Sequence, residues 1–76
     1  MNTRAEIEKQ YTADPRVIKY VFGYGMTARQ AIIYTMRQDG LEIKEIADLF
    51  RISRQSARLI HQAASQKTAL YDKVIL

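Results

Sequence analysis

Residues 43–62 read Ile-Lys-Glu-Ile-Ala-Asp-Leu-Phe-Arg-Ile-Ser-Arg-Gln-Ser-Ala-Arg-Leu-Ile-His-Gln. Two helices that cross at a tight turn of about three residues need apolar side chains where they meet and a small one where they touch most closely. Counting from Ile43, the fourth position is Ile46, the fifth Ala47, the eighth Phe50, the tenth Ile52, the fifteenth Ala57 and the eighteenth Ile60. All of these slots are apolar. Ser53 stands where the second helix needs its N-cap. The stretch predicts a helix-turn-helix.

Punctuation on either side agrees with an all-α fold. Thr27-Ala28-Arg29-Gln30 matches a capping box and opens a helix over about 28–38, with Ala31, Ile32, Tyr34, Thr35 and Met36 on one broad face. Asp39-Gly40 ends it. Glu42 to Phe50 follows as an amphipathic helix with Ile43, Ile46, Ala47, Leu49 and Phe50 on one side. Ser53 then caps a helix from Arg54 to about Gln66, marked by Ala57, Ile60, Ala63 and Ala64. Upstream, Thr3-Arg4-Ala5-Glu6 is a second capping box and predicts a helix over 4–11, with Ile7 and Tyr11 four apart. Asp14-Pro15 reads as an N-cap followed by proline at the first helical position, and Gly23 as the stop, giving a short helix over 15–22. The β-branched, aromatic run Val17–Phe22 leaves a strand or extended arm as the alternative there. The tail from Thr68 extends the last helix or frays. The expectation is one domain over 1–76, a small bundle of four to five helices around a central helix-turn-helix. Residues 1–25 form a helical extension, 26–66 the core and 67–76 the tail.

Composition narrows the function. A chain of 76 residues buries only roughly 60–65% of the surface its unfolded form exposes, so its core is thin. There is no cysteine and one histidine, so neither a disulfide framework nor a zinc centre is expected, and no cofactor. No apolar run approaches 18 residues and the first ten residues are polar, so neither a membrane span nor a secretory signal is expected. Phosphate loops, paired carboxylates in an apolar cleft and nucleophile elbows do not occur, which argues against an enzyme. A net charge of +4 points to a cytoplasmic partner of a polyanion.

Three segments, Thr27–Gln30, Gly40-Leu41-Glu42-Ile43-Lys44-Glu45-Ile46-Ala47 and Ile52-Ser53-Arg54-Gln55-Ser56-Ala57-Arg58, resemble region four of bacterial sigma factors. They are similar, too, to the LuxR-type output domain. The likeness covers about residues 26–66. Two positions depart from the pattern. Glu42 stands where a Ser or Thr cap is usual, and Ala57 where an Ile or Val is usual. The resemblance implies a DNA-binding module, with RNA polymerase as a second possible partner.

The charge map points the same way. Asp39–Asp48 holds four acids (Asp39, Glu42, Glu45, Asp48) against one base, Lys44. Leu49–Tyr71 holds four bases (Arg51, Arg54, Arg58, Lys67) and no acid. Phosphates favour the second helix and are repelled by the first. A recognition helix entering the major groove with its N-terminal residues at the base edges fits that split. The candidate DNA-binding residues are Arg51, Ser53, Arg54, Gln55, Ser56, Arg58 and Gln62. Arg54 or Arg58 suits guanine, Gln55 suits adenine, and the two serines suit phosphate or the helix cap. Leu59 is expected to pack under the N-terminal helices, with a thymine methyl or a subunit interface as alternatives. His61 reads as an edge-of-core residue. Most of Tyr11, Tyr20, Phe22, Tyr24, Tyr34 and Tyr71 are expected in the core.

The function expected is sequence-specific binding of double-stranded DNA by a transcriptional regulator. A homodimer is expected, through the N-terminal helices or Val74-Ile75-Leu76, because a single unit reads few base pairs. The alternative is a protein-binding modulator of RNA polymerase that does not read DNA.

Overall fold

The computed structural model describes residues 4–75, with side chains over 5–73. It holds five helices and, among the described residues, no strand: α1 (Arg4–Thr12), α2 (Pro15–Tyr24), α3 (Ala28–Gln38), α4 (Ile43–Phe50) and α5 (Arg54–Ile75). None is long and apolar enough to cross a membrane. The capping box at Thr3 lies outside the described residues.

Local chemistry starts α2, α3 and α4. The Asp14 carboxylate accepts from the Arg16 N–H at 2.9 Å and caps α2, with Pro15 in the first turn. Thr27 and Gln30 close a reciprocal box on α3: the Gln30 N–H donates to Thr27 Oγ1 at 3.1 Å, and the Thr27 N–H to Gln30 Oε1 at 3.0 Å. At α4 the Glu42 N–H reaches Glu45 Oε1 at 3.4 Å, a long bond. Val17–Phe22 is helical, and the stop is Gly25 rather than Gly23. Gly25 takes the left-handed conformation (φ 68°), and a Cβ there would meet the Tyr71 hydroxyl at 3.2 Å. Gly23 has open space around it and stays inside the helix. A glycine two residues further on could supply the positive φ, so the chain used it.

α3 is the central helix. Ile33, Met36 and Thr35 on it are fully buried, as is Ile46 of α4. The Thr35 hydroxyl is satisfied by the Ala31 carbonyl at 2.8 Å. Ile33 lies outside the face expected from periodicity. Helices pack on both sides of α3, so its apolar stripe is wider than one face. Buried alanines (Ala31, Ala47, Ala57, Ala64) sit in the same core, where α3, α4 and α5 pack together.

Residues 67–75 continue α5, and side chains pin them down. Lys67 Nζ donates to the Gly25 carbonyl and to Gln30 Oε1, both at 2.9 Å. The Tyr24 hydroxyl donates to Asp72 at 2.8 Å, and Tyr24 packs on Tyr71 with ring centroids 5.8 Å apart. The bond to Asp72, and burial after it, raise the Tyr24 pKa. A run of rings, Tyr71, Tyr24, Tyr20, Tyr34 and His61, links α5 to α2 and α3 and back to α5. Each such pair is worth about 0.5–1.5 kcal/mol beyond its buried area. Phe22 departs from the expected aromatic core, with 86% of its surface exposed.

The N-terminal helices are tied to the end of α3 by one polar cluster. Arg16 reaches Asp39 at 2.7 and 3.0 Å and Asp14 at 2.8 and 3.1 Å, and the Tyr11 hydroxyl donates to Asp39 at 2.7 Å. The bonds from Arg16, then that from Tyr11, hold the Asp39 carboxyl down at about 2. Desolvation, then the bond to Asp39, pushes the Tyr11 hydroxyl up to about 12.

Candidate nucleic-acid interface

The turn is built from the end of α4. Phe50 closes that helix and Arg51 adopts the left-handed region, φ 55°, ψ 45°. Its N–H returns to the Asp48 carbonyl at 3.3 Å, and the Ile52 N–H to the Ala47 carbonyl at 3.0 Å. These two bonds satisfy the last carbonyls of α4 in the manner of a Schellman motif, with an arginine where glycine is usual. A non-glycine residue held there costs roughly 1–2 kcal/mol. Ser53 Oγ accepts from the Ser56 N–H at 3.0 Å and starts α5. The Ser53 and Ser56 hydroxyls are 2.9 Å apart and hydrogen-bonded. Ser53 therefore does capping work first, and the Ser56 hydroxyl accepts from it.

Arg51, Ser53, Arg54, Gln55, Ser56, Arg58 and Gln62 are all exposed. On α5, the helical period puts Gln55, Arg58, Leu59 and Gln62 opposite the core-facing Ala57, Ile60, Ala64 and Thr68. Arg58 Nη1 donates to Gln55 Oε1 at 3.2 Å, which holds the two side chains together. None of Arg51, Arg54 and Arg58 forms an ion pair with a carboxylate among the described residues, although Arg51 lines one groove with Glu45 and Asp48, and α5 has no acid before Asp72. The first turn of α5 thus carries a cation and no anion, against the preference of a helix N-terminus.

Not every base of the charge map serves this face. Lys67 is committed to Gly25 and Gln30, as above. Of the acids, Asp39 is neutralised by Arg16 and is not the free side of a helix. Leu59 is 53% exposed, so it does not pack under the N-terminal helices; its place on the outward stripe of α5 leaves it beside Gln55 and Gln62. His61 is part-buried and stacks on Tyr34 at 5.8 Å. Burial, then the nearby Arg37 charge, lowers its pKa.

One residue was missed by sequence reasoning. Arg29, exposed in the first turn of α3, lays its guanidinium 5.4 Å from the centre of the Phe50 ring, next to the turn. It has no acidic partner among the described residues. The signal was present in Thr27-Ala28-Arg29, which belongs both to the capping box and to the resemblance, but neither gives Arg29 a role of its own.

No family model, curated protein or solved structure matches the chain. Among the described residues no group of three or more His, Cys, Asp and Glu side chains is placed to hold a metal ion. The surface offers guanidinium forks and amides on one rigid helix. Those groups suit phosphate oxygens and purine edges.

Proposed function

We propose that the chain binds double-stranded DNA sequence-specifically, as a transcriptional regulator acting in the cytoplasm. The N-terminal half of α5 enters the major groove. Arg54, Gln55, Arg58 and Gln62 meet base edges and phosphates, Leu59 lies against a thymine methyl, and Arg51 and Arg29 hold the flanking backbone. The observation that carries the reading is the acid-free exposed surface of α5, where Arg54 in the first turn and Arg58 on the outward stripe stand with no carboxylate to neutralise them. Two local rules are broken at the same place. Arg51 occupies a glycine conformation, and Arg54 opposes a helix dipole. Such breaches concentrate where function demands them. The resemblance of 26–66 to sigma region four and LuxR-type domains is consistent with this reading.

The module works as a pair, since one unit reads too few base pairs for useful specificity. Ile18 (49% exposed) and Phe22 (86% exposed) lie one turn apart on the outside of α2 and are the proposed pairing surface. The side chains of 74–76 lie outside the described residues. Selection of bound duplexes from random oligonucleotides tests both statements. A palindromic motif is the expected outcome, with affinity falling steeply as salt rises. Recovery of no motif, with binding indifferent to salt, would refute the reading. Sedimentation of Phe22→Glu should give a monomer where the parent chain gives a dimer.

A further inference from the structure

α1 and α4 each lean on α3 but make little direct contact with one another. Between them lies a solvent-open groove of about 670 Å³. That is within the roughly 300–1,000 Å³ of ordinary ligand sites. Its floor is apolar, with Ile7 from α1, Leu41 from the loop before α4, and Leu49 from α4. All three are half-buried, so the core leaves part of each uncovered. Glu45 and Asp48, one turn apart on α4, line it as well, and both are exposed. Asp48 has no side-chain partner among the described residues, and Glu45 holds the long bond from Glu42. Arg51 supplies the single basic group of the lining.

An apolar floor beside exposed carboxylates that form no ion pair is a recognition layout with a sign. It repels phosphate, so it is not a second DNA surface. It suits an amphipathic helix whose leucine-type residues meet the floor and whose lysines or arginines meet Glu45 and Asp48. We propose that this groove docks a basic amphipathic helix of a partner protein. The occupant is basic because the rim is acidic. A second copy of the chain fits less well: Ile18 and Phe22 bring one lysine, Lys19, and its exposed apolar residues on α5, Leu59 and the Leu70–Tyr71 pair, stand about three turns apart rather than forming one stripe. The proposal needs no DNA and stands apart from the DNA reading.

The test uses the full chain and fluorescein-labelled peptides of about 14 residues, roughly four turns of helix. One carries leucines at helical spacing with lysines elsewhere. A second exchanges every lysine for glutamate, and a third every leucine for serine. Anisotropy should show the leucine–lysine peptide binding at least about tenfold tighter than either of the others. Glu45→Gln with Asp48→Asn should erase that margin, and Glu45→Lys with Asp48→Lys should reverse the charge preference. Thermal melts check that both variants fold, and the milder pair suffices if the charge-reversed one does not. Equal binding of the three peptides, or affinities unmoved in the folded variants, would overturn the proposal. So would self-association that the rim variants abolish and the peptides do not displace, which would give the groove to a second copy.

Discussion

Replacing Arg54 and Arg58 together by alanine tests the DNA reading at its narrowest point. Four guanidinium groups around the turn, on Arg29, Arg51, Arg54 and Arg58, form no ion pair among the described residues. Each phosphate neutralised contributes about −0.9 to the slope of log affinity on log salt, so four per module give about −3.6. The double variant keeps two, with a slope of about −1.8. Between about 50 and 200 mM salt the parent module then loses affinity roughly 150-fold and the variant roughly 12-fold. Fluorescence anisotropy on a selected duplex, over a salt series, reads both slopes. Folding should not confuse the result. Neither arginine holds a carboxylate, alanine is the better helix former, and removing a cation from the first turn of α5 relieves the dipole. The melting temperature should therefore stay or rise. If only one slope unit is lost but base preference relaxes, one arginine reads a base edge rather than a phosphate. A slope and a sequence preference both unchanged in the folded variant would refute the assignment of α5 to the groove.

Arg51→Gly should separate stability from binding. It removes the left-handed penalty and should stabilise the fold by about 0.5–1 kcal/mol in a denaturant melt, while the salt slope flattens by about 0.9. A flattening without stabilisation would mean that the turn is not strained. Asp39→Asn concerns acid stability. The folded carboxyl titrates at about 2, below its ordinary 3.8, so the stability it adds is present at neutral pH and is lost as pH falls from about 4 through 2. The variant should melt lower at pH 7 and lose less on acidification over that window. Equal pH profiles for parent and variant would remove the Arg16–Asp39–Tyr11 cluster from the acid response.

The helices were legible because their boundaries are written in short-range chemistry. Asp14-Pro15, Thr27…Gln30 and Ser53 each act within three residues, so a linear reading finds them. The features that sequence missed depend on distant partners. Gly25 rather than Gly23 stops α2 at a point where Tyr71, 46 residues on, would crowd any added Cβ, a constraint that no local reading shows. The tail was ambiguous because its anchors, Gly25, Gln30 and Tyr24, come from the other end of the chain. Lys67 and Asp39 looked like free charges for the same reason. Ile33 was overlooked because a helix buried on two sides has no single face for periodicity to mark. The candidate DNA residues were the easier part. An exposed arginine needs no tertiary partner, and the absence of acids from 49–71 is a property of the string itself. Arg29 needed Phe50 beside it before its position meant anything.

Ala57 is where the sequence pattern and the packing give opposite expectations. By resemblance the position takes Ile or Val, and alanine looks like a thin contact that a larger side chain would improve. In the fold Ala57 has no exposed surface, and Ala31, Ala47 and Ala64 in the same core are equally or almost equally buried. Small residues on three helices at once allow backbones to approach closely, and close-packed interiors do not absorb added methylenes. Ala57→Ile should therefore destabilise by about 1–3 kcal/mol through overpacking. The cost would fall on the contact between α4 and α5 that aims the outward face. Affinity for the selected duplex should drop as well, with the salt slope nearly kept, because the arginines remain but their helix is displaced. A denaturant melt and the same anisotropy series read the two effects. If the variant is instead more stable by a kcal/mol or so, the site holds unused space, and the close-approach account of this crossing is wrong.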